Sequence, residues 1–489
     1  MDGDTFRRYG HEVVDWVADY MEQVGDYPVL PPVAPGEIRN QLPAAPPGRG
    51  ESMDAILDDF RRIILPGITH WNHPRWFAYF PANNSGPSIL AELISAGLGV
   101  NAMNWQTSPA ATELEETVMD WLRQMIGLPE EFRGVIHDTA STATLCALIC
   151  ARERISDFAI NRQGFYAWPT DRPLRFYASQ EAHSSVEKGA RLAGLGSDHL
   201  VKVPVDGSFA MDPDALEGLI AADLARGFSP CAILATVGTT SSTAVDPVPE
   251  LAAVARRHGL WLHVDAALAG SAAILPEKRH LLEGCGEADS LVFNPHKWLF
   301  TNFDCSAFFV RRPEVLTAAM SILPEYLKTD QDRRVTNYRD WGIQLGRRFR
   351  ALKLWFVIRH FGVEGLQAKL RDHIAWAGEF AGWVDASPDF ERLAPVPVNT
   401  VCFRLNSGKG GSVTPSEEEL DRRNKALMDA VNATGRIYLT HTRLGGRFCL
   451  RLCVGQTQTR REDVSLAWSL LKETAARQEN SNRTSNIEH

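Results

Sequence analysis

Leu291-Val292-Phe293-Asn294-Pro295-His296-Lys297-Trp298 is an apolar run that stops at a proline and delivers a lysine. A short run of this kind, bounded by a chain breaker, predicts a buried strand over 290–294. A second run, Leu260-Trp261-Leu262-His263-Val264, ends on Asp265. Further strand-like runs fall at 134–136, 174–179, 199–203, 231–236 and 306–310. Helical stretches lie between many of them, for example over 211–226 and 249–258. This alternation predicts an α/β fold with a mainly parallel sheet covered by helices. Ligands bind outside the carboxyl ends of strands in such sheets, where Thr236, Asp265 and Lys297 would gather.

Outward from this sheet, the chain of 489 residues exceeds what one core fills, so several domains are expected. Residues 5–25 have apolar positions at helical spacing, among them Phe6, Val13, Val14, Trp16 and Tyr20. A proline-rich stretch follows, then a second helical pattern over 53–65. Together they form an N-terminal helical arm over 1–82 whose apolar face asks for a partner chain. A large domain is expected over 83–361, closed by a long linking helix over 346–361. A small C-terminal α+β domain over 362–477 includes strand candidates at 400–405 and 448–454. The polar segment 478–489 is expected to be a disordered tail.

Composition narrows the function classes. Hydrophobic residues at 44% and charged residues at 23% are those of a soluble globular protein. A formal net charge of −9 gives no general attraction to nucleic acid or to an anionic membrane. No apolar run approaches the roughly 18 residues of a membrane helix, and Met1-Asp2-Gly3-Asp4-Thr5 does not open a signal peptide, so a cytoplasmic protein is expected. The eight cysteines are scattered, with no Cys-x-x-Cys and no zinc-ligand spacing. Reduced thiols and no metal site follow.

Three groups of residues suggest chemistry. Lys297 and Asp265, each at a strand end, are the pair a pyridoxal phosphate enzyme needs. A lysine amine forms a Schiff base with the cofactor aldehyde, and an aspartate keeps the pyridine nitrogen protonated. Thr139-Ala140-Ser141-Thr142-Ala143-Thr144 lies between a short strand and an apolar helix, where hydroxyls and free N–H groups can cradle a phosphate. Ala182-His183-Ser184-Ser185 follows another strand, and its imidazole can stack on a flat cofactor. Each has a plainer alternative. Asp265 and Thr139 could be ordinary helix N-caps, and His183 a structural hydrogen-bonding residue.

Longer motifs join these groups. They include His70-Trp71, Phe77-Ala78-Tyr79-Phe80-Pro81, Thr107-Ser108-Pro109-Ala110-Ala111-Thr112-Glu113-Leu114-Glu115, His263-Val264-Asp265-Ala266-Ala267 and Leu345-Gly346-Arg347-Arg348-Phe349-Arg350. Over roughly 5–475 the chain resembles the aromatic-L-amino-acid decarboxylases, group II of the pyridoxal phosphate decarboxylases. The resemblance implies a fold-type-I, aspartate aminotransferase-like homodimer with active sites at the subunit interface. It implies that Lys297 carries the cofactor, Asp265 pairs with its ring nitrogen and His183 stacks on the ring. Thr139, Ala140, Ser141 and Asn294 would hold the phosphate, with Thr236 and Ala267 beside the ring and His296 placing substrate and cofactor. Trp71, Tyr79, Phe80 and Pro81 would wall the substrate pocket, joined by Asn101, Met103 and Gly346.

The implied reaction is decarboxylation of an aromatic L-amino acid of the dopa, tyrosine, tryptophan or phenylalanine class to the arylalkylamine. Tyr326 matches the family's mobile-loop tyrosine, associated with protonating the carbanion after CO2 leaves. Related aldehyde synthases typically have phenylalanine there. Gly346, where histidine decarboxylases have serine, leaves room for a larger ring. Leu268, Asp138-Thr139, Asn101 and Met103 depart from the common family pattern. Two alternatives share the scaffold. One is an aldehyde synthase or an aminotransferase with Arg451 clamping the substrate carboxylate, although Arg451 reads better as structural. The other is a non-catalytic, cofactor-binding dimer.

Overall fold

A computed structural model describes residues 1–322, 334–406 and 415–485, the segment 479–485 by its backbone alone. A seven-stranded sheet dominates it, in the order β1-β7-β6-β5-β4-β2-β3. Its strands are β1 (Arg133–His137), β2 (Leu174–Ser179), β3 (Leu200–Val203), β4 (Ser229–Thr236), β5 (Trp261–Asp265), β6 (Ser290–Phe293) and β7 (Ser306–Val310). Each matches a strand expected from the sequence, shifted by two residues at most. Only β7 runs against the others, pairing antiparallel with both β1 and β6.

The apolar runs become strands because both faces of the sheet are covered. Ile233, Ala235, Leu262, Val264, Leu291 and Phe293 enter one core cluster. Ala232, Leu234, Trp261 and Val292 enter the cluster on the opposite face. From Ala232 onward this period of two sends successive apolar side chains to opposite helical layers, leaving Thr236, His263, Asp265 and Ser290 as the buried polar positions of these strands.

A second sheet, β10-β11-β9-β8, is wholly antiparallel and built from β8 (Phe390–Arg392), β9 (Thr400–Leu405), β10 (Thr440–Leu444) and β11 (Arg447–Cys453). The sequence pattern located β9 and β11 but not their neighbours. β8 has three residues, too few to show a period, and β10 alternates between exposed and half-buried positions until Leu444.

Three expectations need correction. The linking helix, expected over 346–361, begins at Arg350 and ends as expected at Gly362, whose φ 64° and ψ 170° are not helical; a second helix runs on from there to Ala386. Leu366, Leu370, Ala377, Phe380 and Val384 then supply a buried stripe. The segment expected to be a disordered tail from 478 continues by its backbone the helix Arg461–Ser485 as far as Ser485, and its last four residues lie outside the described ones. The second arm helix divides into an α-helical turn over Met53–Asp59, a π-helical turn and a short 3-10 turn ending at Gly67. The first arm helix spans Gly3–Gln23, capped by Asp2, and only Tyr9 along it is buried.

The motif residues far from the sheet's tips are struts. Arg347 donates to Glu115 at 2.6 Å and to the carbonyls of Ile136 and Ala102, while Glu115 also accepts from the Ile136 N–H. This buried pair is fully hydrogen-bonded, the condition under which burying two charges is tolerated. Arg350 similarly engages Asp304 at 2.8 Å.

Trp298, next to Lys297, is buried and donates its indole N–H to His373 Nδ1 at 3.0 Å. Burial pushes the His373 pKa down to about 3, and pushes His137 and His263 down to about 4. An unfolded histidine titrates near ~6.5, so between that pH and the folded value the unfolded chain binds more protons. Stability from these histidines is therefore complete above the unfolded pKa and lost as pH falls below it. His373→Asn retains an acceptor for Trp298 and removes one titrating site. Its melting temperature should fall less steeply than the wild type's between neutral and mildly acidic pH, as followed by circular dichroism; equal slopes would contradict this account.

Candidate active site

Five parallel strands place the expected residues on one side of the large sheet. Thr139 follows β1, His183 follows β2, Thr236 ends β4, Asp265 ends β5 and Asn294 follows β6. Thr236 and Asp265 are paired in register across β4 and β5. The helical turn Pro295–Trp298 starts immediately after Asn294, with proline in its first turn where no N–H is needed. That turn presents His296 and Lys297.

These ends enclose a cavity of about 210 Å³. Its wall includes Thr139, Ala140 and Ser141 on one side, and His183, Asp265 and Ala267 on another. Thr236, Asn294, His296 and Lys297 also line it, and Phe80 enters from outside the sheet. Thus every residue expected to hold the cofactor borders one cavity.

Thr139 is indeed a helix N-cap: its Oγ1 accepts from the Thr142 N–H at 3.4 Å at the head of the helix Ala140–Ile155. The first N–H groups of a helix have no acceptor within it. Those of Ala140 and Ser141 therefore remain donors at the cavity wall, at the positive end of the helix dipole. Asn294 accepts from Ser306 Oγ at 2.7 Å, and its backbone N–H donates to the Ala267 carbonyl. The side-chain N–H groups of Asn294 remain available to a ligand.

Burial lowers the Lys297 pKa; Asp265 opposes this and Arg451 reinforces it. The amine is thereby biased toward its neutral, nucleophilic form. Burial also lowers the His183 pKa, against the pull of Asp265 and with the push of Lys297. Nδ1 of His183 accepts from the Ser185 N–H at 3.2 Å and lies 2.8 Å from the Ser185 hydroxyl. For His296, burial and then Lys297 push the pKa down to about 3. The Cys305 N–H donates to His296 Nδ1 at 2.9 Å, which leaves the ring proton of the neutral imidazole on Nε2. Asp265 accepts from the Ala267 N–H at 3.0 Å with Oδ1 in a local turn; it is not the cap of the helical segment that follows, which begins at Ala269 after Leu268.

The donor set fits pyridoxal phosphate. It combines an amine for an aldehyde, a carboxylate for a protonated ring nitrogen, and hydroxyls with a helix N-terminus for phosphate. Among the described residues, no cluster has the composition of a metal site.

The substrate-side residues divide. Phe80 borders the cavity, with its ring centroid 5.0 Å from Lys297 Nζ and 4.7 Å from Arg451 Cζ. Pro81 is buried behind it, against Gly455. Trp71 and Tyr79 are exposed and stacked, 5.9 Å apart at 17°, outside the cavity wall. Asn101 and Gly346 come together on the surface away from Lys297: Asn101 Oδ1 accepts from the Arg347 N–H at 3.0 Å beside Gly346. Met103 lies in the same region, its carbonyl accepting from the Arg339 N–H. Tyr326 falls outside the described residues.

Gly238, Thr240 and Phe303 also border the cavity without having been singled out in sequence. The hydroxyl-rich run Thr239-Thr240-Ser241-Ser242-Thr243 after β4 was a usable signal for the first two. Phe303 had none. Arg451, buried on β11, donates from Nε to the Ser241 carbonyl at 2.8 Å and from Nη1 to the Tyr79 carbonyl at 2.7 Å, while its Nη2 has no hydrogen-bond partner among the described residues.

The pyridoxal-dependent decarboxylase conserved domain matches residues 35–406. A phenylacetaldehyde synthase from Arabidopsis thaliana is 43% identical over 486 residues, covering 97% of both chains. Tyrosine decarboxylase 1 from Narcissus pseudonarcissus is 42% identical over 489 residues, covering 97% of this chain and 93% of its own. The crystal structure of Oryza sativa TDC with PLP and tryptamine matches with a TM-score of 0.93 at 40% identity, over 98% of this chain and 99% of that one. The fold is therefore the expected fold-type-I architecture. The chain belongs to the pyridoxal-dependent decarboxylases, in their aromatic-amino-acid group.

Proposed function

We propose that this protein removes the α-carboxylate of an aromatic L-amino acid as CO2 and releases the arylalkylamine. The observation that supports it most directly is the desolvated Lys297 amine in one cavity with Asp265, bordered by Phe80 and Phe303. When bound, pyridoxal phosphate supplies an electrophilic aldehyde and a ring that accepts the electron pair left by CO2.

The protein's own groups have separate tasks. Lys297 holds the aldehyde carbon, and Asp265 holds a proton on the ring nitrogen. Ala140, Ser141 and Asn294 donate to the phosphate, with Thr139 shaping the cradle. Thr236 and Ala267 border the ring position, and His183 contributes an imidazole biased toward the uncharged form. His296, with its proton on Nε2, donates to the substrate. Phe80 favours the loss of carboxylate charge by keeping water from the reacting end. Tyr326 supplies the proton at Cα, a role that rests on its place in the sequence.

The assembly is a homodimer. Leu90, Leu93, Ile94 and Leu98 expose one face of the helix Gly86–Leu98, and Phe6, Val13 and Val14 are exposed on the arm. Apolar surface of this extent asks for cover, and a second copy would supply it. It would also bring Asn101, Met103 and Gly346, with Trp71 and Tyr79, to the rim of a partner's cavity. A cytoplasmic location accords with eight free cysteines. Among the described residues no helix can cross a membrane.

An aldehyde synthase is the second reading, favoured by the Arabidopsis relative. Product analysis by mass spectrometry separates the two, using cofactor with dopa, tyrosine, tryptophan, phenylalanine, 5-hydroxytryptophan, histidine and glutamate. We expect amine from one or more aromatic substrates and little aldehyde or peroxide. Tyr326→Phe should shift the product toward aldehyde, ammonia and peroxide in the presence of dioxygen. Wild-type product that is mainly aldehyde or keto acid would overturn the reaction.

Lys297→Ala should abolish the visible absorbance of the attached cofactor together with turnover. Asp265→Asn should retain cofactor but lower kcat by roughly 100- to 1000-fold, the loss typical of removing one preorganised electrostatic partner. Wild-type kcat in Asp265→Asn would remove that residue from its role.

A further inference from the structure

One side chain, Asn83, ties the lysine turn to the rest of the molecule. It is 2% exposed and lies just before the helix Gly86–Leu98. Its backbone N–H donates to the His296 carbonyl at 2.9 Å. Its Nδ2 donates to the Lys297 carbonyl and to the Gly455 carbonyl, both at 2.7 Å. Its Oδ1 accepts from the Thr457 N–H at 2.8 Å, with the Thr457 hydroxyl also at 2.8 Å. A carboxamide has two N–H donors, and both are engaged here; its oxygen accepts from the Thr457 N–H, while the single proton of the Thr457 hydroxyl is shared with the nearer Asn84 carbonyl at 2.5 Å.

Three distant segments meet at this group. They are the entry to the helix Gly86–Leu98, the turn after β6 and the connection leaving β11. The approach is close enough to require glycine at 455. A Cβ there would come within 2.8 Å of Pro81 Cγ and 3.3 Å of Asn399 Nδ2. Of the two carbonyls bound by Nδ2, one belongs to the turn that lines the cavity and the other to the connection that follows the strand of Arg451. Lys297 extends from one, and Arg451, which reinforces the lowered Lys297 pKa, lies four residues before the other.

We propose that Asn83 is the positioning residue of Lys297. Its amide fixes the peptide carbonyl of the nucleophilic lysine against the small sheet and so sets where Nζ stands relative to Asp265 and Arg451. The proposal rests on the reading above, in which Lys297 holds the cofactor. The chemistry requires an amide rather than any residue of that size. Aspartate has the same shape but no donor, and would set an anionic oxygen against two carbonyl oxygens. Those carbonyls would then be buried without partners. Misplacing a reacting group by an ångström costs on the order of 100-fold in rate.

The test uses full-length holoenzyme. Asn83→Asp is compared with Val431→Ala, which removes buried volume in the small domain and touches nothing at the cavity. For Asn83→Asp we expect kcat to fall by roughly 100-fold with a smaller change in KM. The pH at which the visible absorbance of the attached cofactor titrates should also move. Val431→Ala should lower the melting temperature and leave both readouts where they are. An Asn83→Asp enzyme that is merely less stable, with unmoved absorbance and kcat, overturns the proposal. If the buried charge prevents folding, Asn83→Ser, neutral and too short to span both carbonyls, decides by the same two readouts. Lys297→Ala isolates the premise. If it keeps the wild-type absorbance, the cofactor assignment fails; if it loses it while the Asn83 variants show no shift, only the present inference fails.

Discussion

A primary amine held out of water is the constraint on which the rest of this structure depends. Lys297 can work as a nucleophile only if its ammonium form is disfavoured, and burial does this at a cost in free energy. The cost is tolerable because Asp265 stands nearby, at the end of the neighbouring strand. Such a pair needs strands whose tips are enclosed, and the parallel sheet provides them by taking helices on both faces. The two core clusters on opposite faces of β4, β5 and β6 are therefore part of how the lysine acquires its reactivity.

The large sheet does not complete the cavity alone. Phe80 arrives from the end of the arm, and Arg451 of the small sheet stands behind it, 4.7 Å from its ring centroid. Arg451 holds the Tyr79 carbonyl on one side and the Ser241 carbonyl on the other. Asn83 makes a similar bridge between the Lys297 and Gly455 carbonyls. Cavity shape thus depends on polar junctions between separately packed units. Such junctions require directional partners, which makes them sensitive to isosteric changes that an apolar core would accept.

The relatives show why product and fold are separable. A protein with an aldehyde-synthase name and one with a decarboxylase name stand at nearly equal identity to this chain. The scaffold holding the cofactor is common to both, so the partition between amine and aldehyde has to reside in a few side chains around the reacting carbon. Overall likeness cannot weigh those few groups above the hundreds of positions that serve packing.

The sequence by itself determined the seven strands of the large sheet and the side of it where Thr139, His183, Asp265 and Lys297 come to border one cavity. Those features are local. An apolar run ends, a proline breaks it, and Lys297, Asp265 or Thr139 follows within the same few residues. It also indicated Glu115 and Arg347 as motif members without indicating that they form a buried pair. Only the tertiary structure decided that Phe303 borders the cavity and that Asn83 binds the Lys297 carbonyl across 214 positions of chain. Periodicity and capping report on neighbours within a turn or a strand. A hydrogen bond between remote segments leaves no such pattern, because its partners are chosen by how the packed units meet.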